Sequence, residues 1–232
     1  MVGDIGLAED LGADPTLGAP AAEAQPSAAL GDEIGDDLLS LSSPAVTRCS
    51  PRRRIFNEGY TATAGGDWVR PALCQDALRL GRILAELVPR EAEVHGLTAL
   101  MELQASRLGA RTGPAGEPVT LPNQDRSRWD FLLIGRGLRA LDRAEALGGD
   151  RGPYALQAAI AACHARARTP QETDWPRIAS LYDELTDVVP SPIIELNRGV
   201  ALGHGLRARG RPRARRRPRR DRRAERPRAR TS

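Results

Sequence analysis

An all-α fold is the prediction, and three observations carry it. From Ile55 to about Leu202, large apolar residues recur at three- and four-residue intervals, the period of a helix that buries one face. Phe, Tyr and Trp together make up only 3% of the chain, so a core must be built from Leu, Ile, Val and Ala. Such residues suit close-packed helices better than strands, which favour aromatic and β-branched side chains. Proline and glycine interrupt the rhythm at short, hairpin-like intervals.

The rhythm opens with IFNEGYTATAGGD at Ile55–Asp67. Phe56 and Tyr60 are four residues apart and should stack on one helix face. Gly59 between them allows another helix to come close, Asn57 and Glu58 offer polar contacts, and Ala64-Gly65-Gly66 is a helix stop. Phe56, Asn57, Glu58, Gly59 and Tyr60 are therefore read as a packing junction. Pro71 then fits the first turn of a helix with Leu73, Ala77, Leu80, Leu84 and Leu87 on its apolar face, ending before Pro89. A second runs from about Glu91 to Leu108, with Val94, Leu97, Met101 and Leu108 on one face. Gly109–Pro122, rich in Gly and Pro, is a long loop. Ser127 can cap a third helix through Leu147, closed by Gly148-Gly149. Pro153–Arg168 is an Ala-rich fourth. Asp174 caps a fifth with Pro176 in its first turn, ending before Pro190, and a sixth spans about Pro192–Leu202.

A degenerate repeat underlies these helices. Leu80, Leu84, Leu87, Val88 and Pro89 match Leu181, Leu185, Val188, Val189 and Pro190 at constant offset, and EVHGLTAL echoes ELNRGVAL. An apolar helix, a proline turn and a small-residue helix resemble a tetratricopeptide repeat. An irregular helical bundle would give much of the same pattern.

Charge divides the chain into three parts. There is no lysine; all 34 basic residues are arginine. Met1–Thr47 carries nine acids and no arginine, whereas Gly205–Ser232 carries fourteen arginines against Asp221 and Glu225, leaving the middle nearly neutral. Residues 1–54 hold few large apolar groups among Ala, Pro and Gly, so a mostly disordered head is expected, with two short helical possibilities at Asp4–Leu11 and Ile34–Leu41. Residues 55–204 form the helical domain and residues 205–232 a disordered, self-repelling tail.

Few chemistries fit these residues. Arg215, Arg216, Arg217, Arg219 and Arg220 could neutralise phosphates and bind nucleic acid without sequence preference, although a frame change in a GC-rich gene produces the same composition. Cys74, His95, Cys163 and His164 lack metal-ligand spacing and read as buried thiols and ordinary helix histidines. No nucleophile elbow, phosphate-binding glycine loop or HExxH is present, and Glu58 has no locally placed partner for general base catalysis. A non-enzymatic protein without cofactor or metal is the expectation. Three widely spaced cysteines suggest no disulfide framework. With neither a signal-like start nor a long apolar run, the chain reads as cytoplasmic with no membrane partner.

The joint pattern IFNEGYTATAGGD, RPALCQDALRLGRILAELVPREAEVHGLTALMELQASR, LPNQDRSRWD, GPYALQAAIAACHARA and TDWPRIASLYDEL to PSPIIELNRGVAL, across Ile55–Leu202, resembles the C-terminal extension of a group of extracytoplasmic-function sigma factors of the sigma-70 family. GDIGLAEDL at Gly3–Leu11 is similar to the early part of sigma region 2, and IGDDLLSL to the segment before region 4. The resemblance implies a helical, tetratricopeptide-like extension and, for an intact relative, core RNA polymerase and promoter DNA as partners. Between Leu11 and Ile34 nothing like a full region 2 fits, and between Leu41 and Ile55 only thirteen residues remain, too few for the helix-turn-helix of region 4. The expectation is thus a truncated sigma-factor-like protein that retains mainly its extension. A free-standing module that binds a protein partner through its helices is the alternative.

Overall fold

The computed structural model describes residues 44–60 and 69–210, with side chains over 49–60 and 69–206. Seven helices carry the described fold, and no strand occurs among the described residues: α1 Pro44–Tyr60, α2 Pro71–Leu87, α3 Ala92–Ala105, α4 Phe131–Ala146, α5 Pro153–Arg166, α6 Trp175–Val188 and α7 Pro192–Gly210. The all-α class and its helical hairpins are as the sequence predicts.

Helix α3 is the centre. It packs against α1, α2, α4 and α5, and every residue from Gly96 to Ala105 is buried. A helix surrounded in this way shows no polar stripe, so its position cannot be read from amphipathic periodicity. Small residues let its neighbours come close. A Cβ on Gly96 would lie 2.8 Å from the Ala155 nitrogen in the first turn of α5, and one on Gly137 of α4 would lie 3.1 Å from the Ala99 carbonyl oxygen. Helices α3 and α5 run parallel, whereas α4 runs antiparallel to α3, returning from Asp130, whose N–H reaches the Ser106 carbonyl at 2.8 Å, to Gly149 beside Ala92.

Three boundaries differ from expectation. Residues 44–54 belong to a helix, whereas the sequence places them in a disordered head. The buried stripe there is Cys49, Arg53, Phe56 and Tyr60, and the arginine within it hides the apolar period. Arg53 is accommodated because its guanidinium donates to Gln157 Oε1 at 3.4 Å. Helix α4 starts at Phe131, because Asp130, rather than Ser127, caps it by accepting from the N–H groups of Leu132 and Leu133. Ser127 sits in a 3-10 turn, and its own N–H donates to Asp125. Helix α7 continues to Gly210, past the expected end near Leu202 and into the segment assigned to a disordered tail. The remainder of the head and tail, including Asp4–Leu11, Ile34–Leu41 and the Gly65-Gly66 stop, lies outside the described residues.

Helix α2 ends as expected but presents a different face. Cys74, Ala77, Leu78, Gly81 and Leu84 point inward, while Leu80, Ile83 and Leu87 are exposed, Leu87 at 73%. Close approach to α1 and α3 selects the small residues for the interior. Leu80 and Leu87 of the expected apolar face are left on the rim.

Candidate functional site

At the IFNEGY junction the local sequence performs the packing role expected of it. Phe56 and Tyr60 stack with ring centres 5.6 Å apart and planes 20° from parallel, both fully buried. A Cβ on Gly59 would lie 2.7 Å from the Cys74 nitrogen, so glycine is what allows α1 and α2 to touch backbone to backbone. The contact is closed by hydrogen bonds: the Arg70 N–H donates to the Gly59 carbonyl at 2.6 Å, and the Cys74 thiol donates to the Phe56 carbonyl at 3.7 Å. Glu58 pairs with Arg70 at 3.4 Å, both partly exposed, which is a rim interaction rather than a poised base. The guanidinium of Arg111 lies 3.7 Å over the Tyr60 ring, tying the start of the long loop to the same junction. Asn57 is half-buried beside it.

A second constellation forms at the opposite end of α5. Because α3 and α5 run parallel, Arg107, just beyond α3, comes into the electrostatic neighbourhood of His164 in the last turn of α5. The loop from Ser106 to Asp130 then brings Arg126 onto the same spot. Its Nη1 donates to the carbonyls of His164 at 2.6 Å and Ala167 at 2.9 Å, capping the helix end where carbonyls lack intrahelical partners. The Arg126 guanidinium also lies 4.4 Å over the Trp129 ring. His164 meets Trp175 edge-on at 5.4 Å, and Trp175 stacks on His204 of α7 at 4.2 Å. Burial, reinforced by Arg107, Arg126 and His204, pushes the His164 imidazole down to about 3, so it is neutral at physiological pH. Burial and the neighbouring Arg107 also lower the pKa of Arg126, with Glu172 the opposing charge. Sequence reading missed this cluster because its members are spread from 107 to 204; the RSRW run was visible, but nothing in it names His164 as a neighbour.

Glu93 provides a third feature. Its carboxylate accepts from the N–H groups of Tyr154 at 3.0 Å and Ala155 at 3.3 Å, capping α5 from a different helix. Burial pushes this carboxyl up from its ordinary 4.5 to about 7, against the two N–H groups that favour its charged form. The folded chain therefore holds this proton more tightly than the unfolded chain. The associated stabilisation is complete below about pH 4.5 and is lost as pH rises towards 7, amounting to about 3 kcal/mol at most. His164, depressed in the fold, acts in the opposite direction, its contribution being lost as pH falls below its ordinary 6.5. The difference between the native chain and Glu93→Gln isolates the glutamate. Thermal melts from pH 4.5 to 7.5 should show the native chain losing stability relative to the variant as pH rises. Parallel profiles would refute the assignment.

The metal candidates stand apart. The Cys74 thiol faces Phe56, and His95 Nε2 lies 3.1 Å from the Pro89 carbonyl oxygen. Cys163 is a buried free thiol with its pKa raised by burial. No group of three or more His, Cys, Asp or Glu side chains suited to a metal occurs among the described residues. Arg215, Arg216, Arg217, Arg219 and Arg220 lie outside the described residues. No helix among the described residues is long and apolar enough to cross a membrane.

A family of unknown function (DUF6596) matches residues 53–145, which run from within α1 to the end of α4. The chain is also similar to an uncharacterized protein, R00370, of Rhizobium meliloti (strain 1021), with 47% identity over 148 residues. That alignment covers 64% of this chain and 35% of the relative, so the chain spans about a third of the length of the curated protein it matches. No solved structure matches the chain.

Proposed function

We propose that this chain is a sigma-factor-like protein of bacterial transcription initiation, of the extracytoplasmic-function type, whose helical domain corresponds to the extension of such factors. Its role is non-enzymatic and cytoplasmic. Promoter reading, which needs sigma regions 2 and 4, is not performed by residues 55–204. The observation supporting this reading most is that the resemblance-bearing segments meet as interlocking parts of one unit. IFNEGY docks on Cys74, the RSRWD run caps both α4 and α5, and the first turn of α5 rests on Gly96 and Glu93. A pattern of scattered motifs that closes on itself is what descent from a common domain would leave.

Two measurements test the reading. The DNA flanking the coding sequence, read in all frames, should encode further parts of regions 2 and 4; absence of any such stretch would sink it. In run-off transcription with core polymerase the chain alone should give no promoter-directed transcript, and a transcript dependent on it would refute the assignment of a lost promoter-reading function. A second reading, a free-standing protein-interaction module, is favoured by the exposed row of Leu80, Ile83 and Leu87 on α2. Under that reading the chain engages a protein partner without polymerase.

A further inference from the structure

We propose that the exposed row Leu80, Ile83 and Leu87 on α2 is a docking surface for the chain's own segment Ile34–Leu41, which lies along α2 and keeps the row from other proteins.

The row is the uncovered half of one apolar line. Leu73, Leu80 and Leu87 are seven residues apart, about two helical turns, and so share a side of α2. At Leu73 that side is covered: a Cβ on Gly59 of α1 would lie 2.8 Å from the Leu73 Cβ. Towards its N-terminus α1 turns to other helices. The Arg53 guanidinium donates to Gln157 of α5, and the Cys49 thiol donates to the Glu93 carbonyl of α3 at 3.9 Å. Leu80 and Leu87 are then left 40% and 73% exposed, with Ile83 beside them at 42%. Three large aliphatic residues at i, i+3 and i+7 make a face that a second amphipathic helix can cover.

Where the described chain begins selects the occupant. Cys49 against Glu93 puts the start of α1 at the end of the domain where α2 passes into α3, the end that carries Leu87. Helix α1 opens at Pro44, and only Ser42 and Ser43 separate it from Leu41. Three Cα steps reach about 10 Å at most, so Leu41 stays at that end. Ser43 precedes a proline, which disfavours helical backbone there, so a helix over 34–41 cannot run straight on into α1. In such a helix Ile34, Leu38 and Leu41 share a face, and two turns are too few to persist in water without apolar cover. The segment and the row match in length, since seven steps of about 1.5 Å separate the ends of each. Of the other exposed apolar residues, Phe131 and Leu132 lie beside the far end of α3, about 20 Å away, and those of α7 lie on a helix that packs chiefly on α6.

Charge agrees with this pairing. Asp32, Glu33, Asp36 and Asp37 give the segment and its flank four negative charges and no positive one. On α2 and its following turn, Arg79, Arg82 and Arg90 outnumber Glu86. Arg52 of α1, seven residues before Gly59, shares the side of α1 that meets α2.

The test is digestion of the full chain by a protease that cuts before aspartate, with mass spectrometry reading the bonds before Asp36 and Asp37. A synthetic peptide of residues 30–45 gives the rate for the undocked segment. Cleavage in the chain should be slower by about tenfold or more, because it follows the fraction undocked, and the protection should not vary with chain concentration. Leu80→Ser combined with Leu87→Ser should return the rate to that of the peptide, with helical circular dichroism unchanged. If the pair does not fold, Leu87→Ser alone, at the more exposed position, should raise the rate by about threefold or more. Cleavage as fast as in the peptide would leave the row open to another protein and overturn the proposal. Protection that rises with concentration, the mark of a second copy, would also overturn it, as would protection unaltered in whichever variant folds.

Discussion

Replacing Gly96 by alanine is expected to destabilise the chain by about 2 kcal/mol, even though alanine is the better helix former by about 1 kcal/mol. The added methyl would meet backbone rather than a movable side-chain end: the Ala155 nitrogen at 2.8 Å, the Ala155 Cα at 3.1 Å and the Tyr154 carbonyl carbon at 3.2 Å. Helix α5 must then move away from α3, and the Glu93 cap on Tyr154 and Ala155 loosens with it. Gly96→Leu carries the same conflict further and should abolish cooperative unfolding. Gly199 of α7 is the control, since a Cβ there meets nothing within 4 Å. Gly199→Ala should leave stability unchanged or raise it by up to about 1 kcal/mol. Urea titration followed by helical circular dichroism reads both signs, and a stabilising Gly96→Ala would remove the close α3–α5 contact from the account.

Phe56→Ala should cost more, about 3–5 kcal/mol. The ring is fully buried, stacks on Tyr60, and lies in the one stripe by which α1 joins the domain. Its neighbour Ile55 is 37% exposed, and Ile55→Ala should change stability by no more than about 0.5 kcal/mol. The same urea experiment separates a helix integral to the fold from one that merely lies on it. Equal, small effects at both positions would mean that α1 is peripheral.

The contrast between α1 and α6 explains how far the sequence could be read. Helix α6 declares itself through Asp174, which accepts from the Arg177 N–H at 3.1 Å, through a proline in the first turn, and through a buried face of Ile178, Leu181, Tyr182 and Leu185. Cap, start and period agree there. Helix α1 contains Pro51 and three consecutive arginines, and its inward stripe includes one of them, so a hydrophobic pattern scores it as non-structured. A tertiary partner 104 residues away, Gln157, helps to make Arg53 acceptable inside. On α2 the period was legible but its phase was not, because the interior takes Cys74, Ala77 and Gly81 and rejects Leu80 and Leu87. For the sites, the stack of Phe56 on Tyr60 and the close approach at Gly59 were legible, being local. The Arg107, Arg126 and His164 grouping was not, because it depends on two helices being parallel.

Helix α3 touches four neighbours, whereas α7 packs chiefly on α6. That asymmetry makes the two ends of the domain unequal in folding. In an ideal repeat array each unit meets only the next, and growth can begin anywhere. Here α3 cannot lose its water until helices on both sides of it in the sequence have arrived. Assembly around it is therefore a many-body event with a late, cooperative barrier. The α6–α7 hairpin can detach without opening that centre, as a separate cooperative unit of lower free energy. The same chain thus combines an all-or-none hub with a terminal pair of helices able to open on its own, close to where Trp175 and His204 meet.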